Sequence, residues 1–254
     1  MRLIPKRRQR PTAMTVVEHL EELRYRLVIS LIAVAVGAVG GWFLFEHVMD
    51  LLREPFCKAV EGLPKSSQPP TGCSLVFNGV VEPFMIKLKV VAFLGLGLAL
   101  PVVLWQFWAF ITPGLTKKER RLAIPFVGSS LVLFLLGGWF AFYTLPRGLN
   151  FLLGFAGEGF VALLTASRYV GFVMMLTLAF GLSFEFPLVL IFLGRVGIVS
   201  SRQLRDVRRY AILGIAFFAA VITPSQDPYT MLMMMAPLVL FYEVAILVVR
   251  AMKK

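Results

Sequence analysis

The stretch TVVEHLEELRYRLVISLIAVAVGAVGGWFLFEH, residues 15–47, decides the fold. Its second half, Leu27–Phe45, runs 19 residues without a charge. A hydrocarbon core of about 30 Å needs roughly 20 apolar residues of helix. This run therefore reads as a membrane span, and it is too long for the apolar region of a cleaved signal peptide. The first half is charged. Thr15 and Glu18 have the T-x-x-E spacing of a capping box, which predicts a helix start. Val16, Leu20, Leu23 and Leu27 share one apolar stripe. Glu18 and Glu22 lie four apart on another face, with Arg26 one turn further on. The expectation is a short amphipathic helix resting at the membrane surface ahead of the span. Glu22–Arg26 and Glu21–Arg24 pairs on it would contribute about a few tenths of a kcal/mol each.

The rest of the chain has the same character. Hydrophobic residues make up 58% and charged residues 16%, with mean hydropathy +0.81. Soluble domains sit near about 25% charged, so this is an all-α polytopic membrane protein, read as one domain over residues 1–254. Further spans are expected at Leu88–Ile111, Ile124–Leu145, Val170–Leu193, Tyr210–Thr223 and Tyr229–Val249. Six spans put both termini on one side. The segments on that side, 1–26, 112–123, 194–209 and the C-terminal end, hold nineteen of the 26 lysines and arginines. The outer loops are expected over 47–87 and 146–169, and the outer segments 53–89 and 147–168 hold the other seven. The positive-inside rule places both termini in the cytoplasm. The net charge of +12, including the basic tail KRRQR, then follows from topology. Nothing in the basic residues has the pattern of a nucleic-acid interface. The fifth span covers only about 21 Å, which local bilayer thinning or burial within protein must make up.

Several chemistries are excluded by what is missing. Two cysteines and two histidines make no plausible metal site. No Walker-type phosphate loop, G-x-S-x-G elbow or H-E-x-x-H pair occurs, so no cofactor and no catalytic residue is expected. Cys57 and Cys73 enclose 15 residues. In an oxidising compartment they are candidates for a disulfide worth about 3 kcal/mol; the alternative is two unpaired thiols. The second outer loop, PRGLNFLLGFAGEGFVALLTASR, reads as a short amphipathic helix along the interface.

Acids inside the spans are costly and need a reason. Glu185 sits mid-span in FGLSFEFP. Pro187 removes the backbone bond to the Ser183 carbonyl, so a kink with a polar spot beside the acid is expected. Pro101 and Pro237 are candidates to bend spans two and six. Glu185 either makes an interhelical hydrogen bond that sets packing, or offers an inward polar contact to a partner helix or bound peptide. Glu243 lies nearer the cytoplasmic end and reads mainly as reaching the interface. The run MLMMM, 231–235, suits either lipid or partner helices.

The cytoplasmic loop after span two reads WAFITPGLTKKERR, with Glu119 as its single acid. Glu22 and Glu119 both fall at helix ends on one face of the membrane. Each carboxylate has the geometry to take one guanidinium through two hydrogen bonds, a fit that lysine cannot match. The alternative is two solvated acids on basic surfaces.

At this point the chain resembles the TatC family, the polytopic receptor subunits of twin-arginine protein translocases. EHLEELRYRL resembles the family's H-L-x-E-L-R motif. FITPGLTKKERR resembles its F-x-x-P-G-L-x-x-x-E loop, and FGLSFEFPLVL its F-G-x-x-F-E-x-P span. ITPSQDPYTMLMMMAPLVLFYE resembles its last turn and helix, although TPSQDP replaces the usual T-P-P-D and makes Asp227 the equivalent acid. The resemblance implies a concave, glove-like array with short fifth and sixth helices and Glu185 pointing inward. It implies signal-peptide binding by Glu22 and Glu119, with His19, Leu23, Arg24 and Phe110 shaping the site, and a structural Pro55. It also implies partnership with TatA- and TatB-type single-span subunits, a homo-oligomeric receptor complex, a bacterial-type cytoplasmic membrane, and export of folded proteins driven by the proton-motive force. The rival reading is a small-solute transporter with Glu185 and Asp227 as proton-relay acids.

Overall fold

The computed structural model describes residues 16–65, 68–111, 123–155, 164–224 and 227–252. Its helices are α1 (Val16–Glu61), α2 (Glu82–Ile111), α3 (Ala123–Gly154), α4 (Ala166–Phe184), α5 (Phe186–Val196), α6 (Ser201–Asp206), α7 (Arg208–Ile222) and α8 (Pro228–Met252). No strand forms among the described residues, only an isolated bridge between Val76 and Thr165. Five stretches are long and apolar enough to cross a membrane: α1, α2, α3, α4 with α5, and α8. A further helix, α7, stands where the fifth span was expected and has 15 residues.

Helix α1 departs from expectation. The surface helix and the span are one element of 46 residues, about 69 Å long at 1.5 Å per residue. It also continues well past Phe45, where an outer loop was expected. Beyond the apolar run, Leu52, Phe56, Ala59 and Val60 are buried. Their spacing makes a stripe that keeps α1 on the core. Arg53–Asp50 and Lys58–Glu54 pairs occupy its exposed side. Pro55 lies past the apolar run, inside the helix and buried. Of the expected apolar stripe, Leu20, Leu23 and Leu27 are exposed; Thr15 lies outside the described residues.

Helix α3 likewise runs through Pro146 to Gly154, with Leu145 and Leu149 buried. That continuation takes up residues 146–154 of the interfacial helix expected over 146–169; residues 156–163 lie outside the described ones. The last helix, with 25 residues, is not short. Met234 is fully buried, and Met231, Met233 and Met235 pack against the core, so MLMMM serves this chain's own packing. In α7 only Ile215 and Ala219 are buried, while Tyr210, Leu213, Phe217 and Val221 are exposed. Burial within protein thus does not make up its short length.

The helices pack as neighbours: α1 along α2, α3 along α4, and both α5 and α7 against α8. The α1–α2 contact is a backbone approach. A Cβ on Gly37 would lie 2.6 Å from the Gly95 carbonyl oxygen, and one on Gly95 2.7 Å from that of Val34. Small residues permit such contact in membranes. Two tyrosine hydroxyls tie distant elements, Tyr169 donating to the Leu52 carbonyl at 2.7 Å and Tyr242 to the Leu204 carbonyl at 2.6 Å.

The loop between α1 and α2 is latched to the start of α4. The Ala166 amide donates to the Val76 carbonyl at 2.7 Å. Glu82 accepts from the Asn78 amide at 2.7 Å and the Ser167 amide at 3.1 Å. Those backbone donors, Asn78 first, hold the exposed Glu82 carboxyl below the usual carboxylate range.

Candidate functional site

The residues expected to bind a ligand gather where the start of α1 meets the end of α2. His19 stacks on Phe110 with ring centroids 4.3 Å apart and planes 14° from parallel. Two turns along α1, Arg26 bridges the helices. Its Nε donates to Glu22 Oε1 at 2.9 Å, a second nitrogen pairs with the same oxygen, and Nη1 donates to Gln106 Oε1 at 3.1 Å. The Glu22–Arg26 pair is thus present, whereas Glu21 and Arg24 form no ion pair. Glu22 is only 17% exposed, and its other oxygen, Oε2, is buried without a hydrogen-bond partner. A buried bare carboxylate oxygen carries a desolvation cost that a cationic donor would relieve. Leu23 and Arg24 turn outward beside it. Glu119 lies outside the described residues.

Gln106 and Trp108 were not foreseen. Trp108 is buried, its ring 5.1 Å from that of Phe126 and 5.2 Å from that of Phe192. It anchors the end of α2 to α3 and α5, and so positions Phe110 two residues later. Neither role has a local sequence signal, because the partners are far apart in the chain.

The second predicted cluster centres on the α4–α5 joint. The Glu185 amide donates to the Leu182 carbonyl at 3.1 Å, one residue short of the α-helical partner. Pro187 sits in the first turn of α5. The expected disturbance is confined to one residue, Glu185, whose backbone stays in the right-handed helical region while its amide bond shifts partner. Ser130 of α3 donates to Glu185 Oε2, while Oε1 is buried without a partner. Below the joint a cleft of about 930 Å³ opens between α3, α5 and α8, lined by Phe126, Leu133, Pro187, Leu188 and Phe241.

The other acids are committed within the chain. Asp227 is buried and caps α8, accepting from the Thr230 amide at 2.8 Å and from the Thr230 hydroxyl, with Pro228 following it as the first helical residue. Glu243 pairs with Arg208 of α7 at 2.6 Å, so it joins two helices and does not simply reach into the interface. Cys57 and Cys73 are free thiols beside each other. Cys57 lies in the last turns of α1, past the span. Burial, and then the Cys73 neighbour, push its thiol up to about 11. No group of His, Cys, Asp and Glu able to hold a metal ion occurs among the described residues.

These features were compared with those of known proteins. The family described as Sec-independent protein translocase protein (TatC) matches residues 18–237. A TatC of Frankia casuarinae is 45% identical over 92% of this chain, which spans 65% of that relative's length. One of Desulforapulum autotrophicum is 40% identical, with 93% and 84% of the two chains covered. One of Aquifex aeolicus is 38% identical, with 92% and 93% covered. A crystal structure described as the twin arginine translocase receptor TatC superposes with a TM-score of 0.74 at 35% identity, covering 93% of this chain and all of that one. The family model, the sequence relatives and the superposed crystal structure agree over most of the chain, and it belongs to the TatC family of multi-pass, Sec-independent protein translocase proteins.

Proposed function

We propose that this chain is the signal-peptide receptor of a twin-arginine translocase, with Glu22 and Glu119 each taking one guanidinium of the arginine pair. The observation that carries the reading is the unpartnered Oε2 of Glu22, set between the His19–Phe110 stack and Arg26. A guanidinium arriving there gains a charge-assisted bond without breaking the Arg26 contact to Oε1. Leu23 and Arg24 border the approach. The solved relative described as a twin arginine translocase receptor supports the same assignment.

The wider reading follows from the family. The subunit works with TatA- and TatB-type single-span proteins and further copies of itself in a bacterial-type cytoplasmic membrane, exporting folded proteins on the proton-motive force. The bias of nineteen basic residues to seven supports cytoplasmic termini. Glu185 Oε1 is offered to a partner helix or to the bound peptide. Asp227 and Glu243 have partners within the chain, which favours Glu185 as the contact over the transporter reading. On oxidation Cys57 and Cys73 form a disulfide, detectable as a loss of two hydrogens by intact mass.

Binding of a paired-arginine signal peptide to the protein in nanodiscs tests the receptor reading. Replacing the pair with lysines, or introducing Glu22→Ala or Glu119→Ala, lowers affinity at least about tenfold. Equal binding of all peptides and variants overturns it.

A further inference from the structure

A second pocket, of about 400 Å³, lies at the other end of the molecule between α1 and α3. Pro55 and Lys58 line it from α1, and Trp139, Tyr143, Pro146 and Arg147 from α3. Its depth is given by α3. From the start of that helix at Ala123, Trp139 lies about 24 Å along the axis and Arg147 about 36 Å. The pocket therefore straddles the far boundary of a hydrocarbon core about 30 Å thick.

Its chemistry suits that boundary. Trp139 and Tyr143 stack with centroids 5.6 Å apart and planes 18° from parallel, yet they are 62% and 52% exposed. Amphipathic rings are enriched at this level of a membrane. The Arg147 guanidinium carbon lies 4.8 Å from the Tyr143 ring centroid, and Nη2 donates weakly to its hydroxyl at 3.4 Å. The guanidinium is thereby oriented without being neutralised. Lys58 pairs with Glu54, but both are about half exposed or more, and such pairs yield easily to a better anion. Two cations thus face the pocket against one exposed carboxylate.

We propose that Lys58, Arg147 and the Trp139–Tyr143 stack form a binding site for the headgroup of an anionic phospholipid on the membrane face opposite Glu22. The phosphate sits between the two cations, and the glycerol and upper acyl chain lie on the exposed rings. A zwitterionic lipid would bring its own ammonium group into a cationic pocket and bind less well. A soluble phosphate would leave the rings uncovered. The site does not depend on the signal-peptide reading.

Native mass spectrometry of the purified full chain, titrated with phosphatidylglycerol against phosphatidylcholine, is the test. The wild type retains one phosphatidylglycerol in preference to phosphatidylcholine. A basic residue at an anionic membrane surface contributes about fivefold in affinity, so the K58Q/R147Q variant loses about twenty-fivefold of that preference. The R53Q/K65Q variant, altered on the same face outside the pocket, keeps it. Equal retention of both lipids by the wild type overturns the proposal whether or not the variants fold. So does an unchanged preference in K58Q/R147Q, or displacement of the lipid by millimolar glycerol phosphate.

Discussion

His19 and Phe110 lie face to face across the α1–α2 junction, 4.3 Å between ring centroids. The contact joins the charged start of α1 to the last turn of α2.

A stacked pair contributes about 0.5–1.5 kcal/mol beyond simple burial. His19→Ala and Phe110→Ala are each expected to weaken signal-peptide binding about two- to tenfold, and the double variant little further. His19→Phe keeps the stack and most of the affinity. Fluorescence anisotropy with a labelled peptide reads the difference. Full additivity of the two alanine changes would show that the rings act separately.

Ser130 donates to Glu185 between α3 and the α4–α5 joint. Ser130→Ala removes the sole hydrogen bond to this acid among those described and is expected to lower stability by about 1–3 kcal/mol. With Glu185→Ala already present, the same change costs little. Thermal melting of the four proteins in one detergent closes the cycle.

The Gly37–Gly95 approach leaves no room for a side chain, since a Cβ on Gly95 would meet backbone. Gly95→Ala is expected to push α1 and α2 apart and cost about 1–3 kcal/mol. Gly97→Ala, two residues on and in open space, is expected to be neutral or slightly stabilising. Equal melting temperatures for the two variants would remove the close-packing argument.

The Glu82 latch is pH-dependent. Its carboxyl is held below the usual range by backbone donors, so its contribution is present above the unfolded carboxylate range, near about 4.3. It is lost as pH falls through the lower folded value. Hydrogen exchange at the Asn78 and Ser167 amides is expected to quicken in acid beyond its intrinsic pH dependence. In Glu82→Gln those amides are expected to exchange faster at neutral pH, with no further acid transition.

The spans were legible because uncharged runs of helical length have few other uses. The disturbance at Glu185 was legible from Pro187, two residues on. Glu22–Arg26 followed from a spacing of four. What escaped was helix outside the bilayer. A search for apolar runs stops at Glu46, yet Leu52, Phe56, Ala59 and Val60 have helical spacing and carry α1 to Glu61. Asp227 was read for its charge, whereas the order Asp-Pro marks a helix start. The Arg26–Gln106 and Trp108 contacts join residues far apart in the chain, and no local pattern encodes them.

The length of α1 also has a mechanical meaning. The helix is fastened at Gly37 against Gly95, and also at both ends, by the His19–Phe110 stack and the Arg26–Gln106 bond at one and by the Tyr169–Leu52 bond at the other. Glu22 lies about 22 Å along the axis from the glycine contact and Lys58 about 32 Å the other way. One continuous rod therefore sets the distance between the two ends of the molecule.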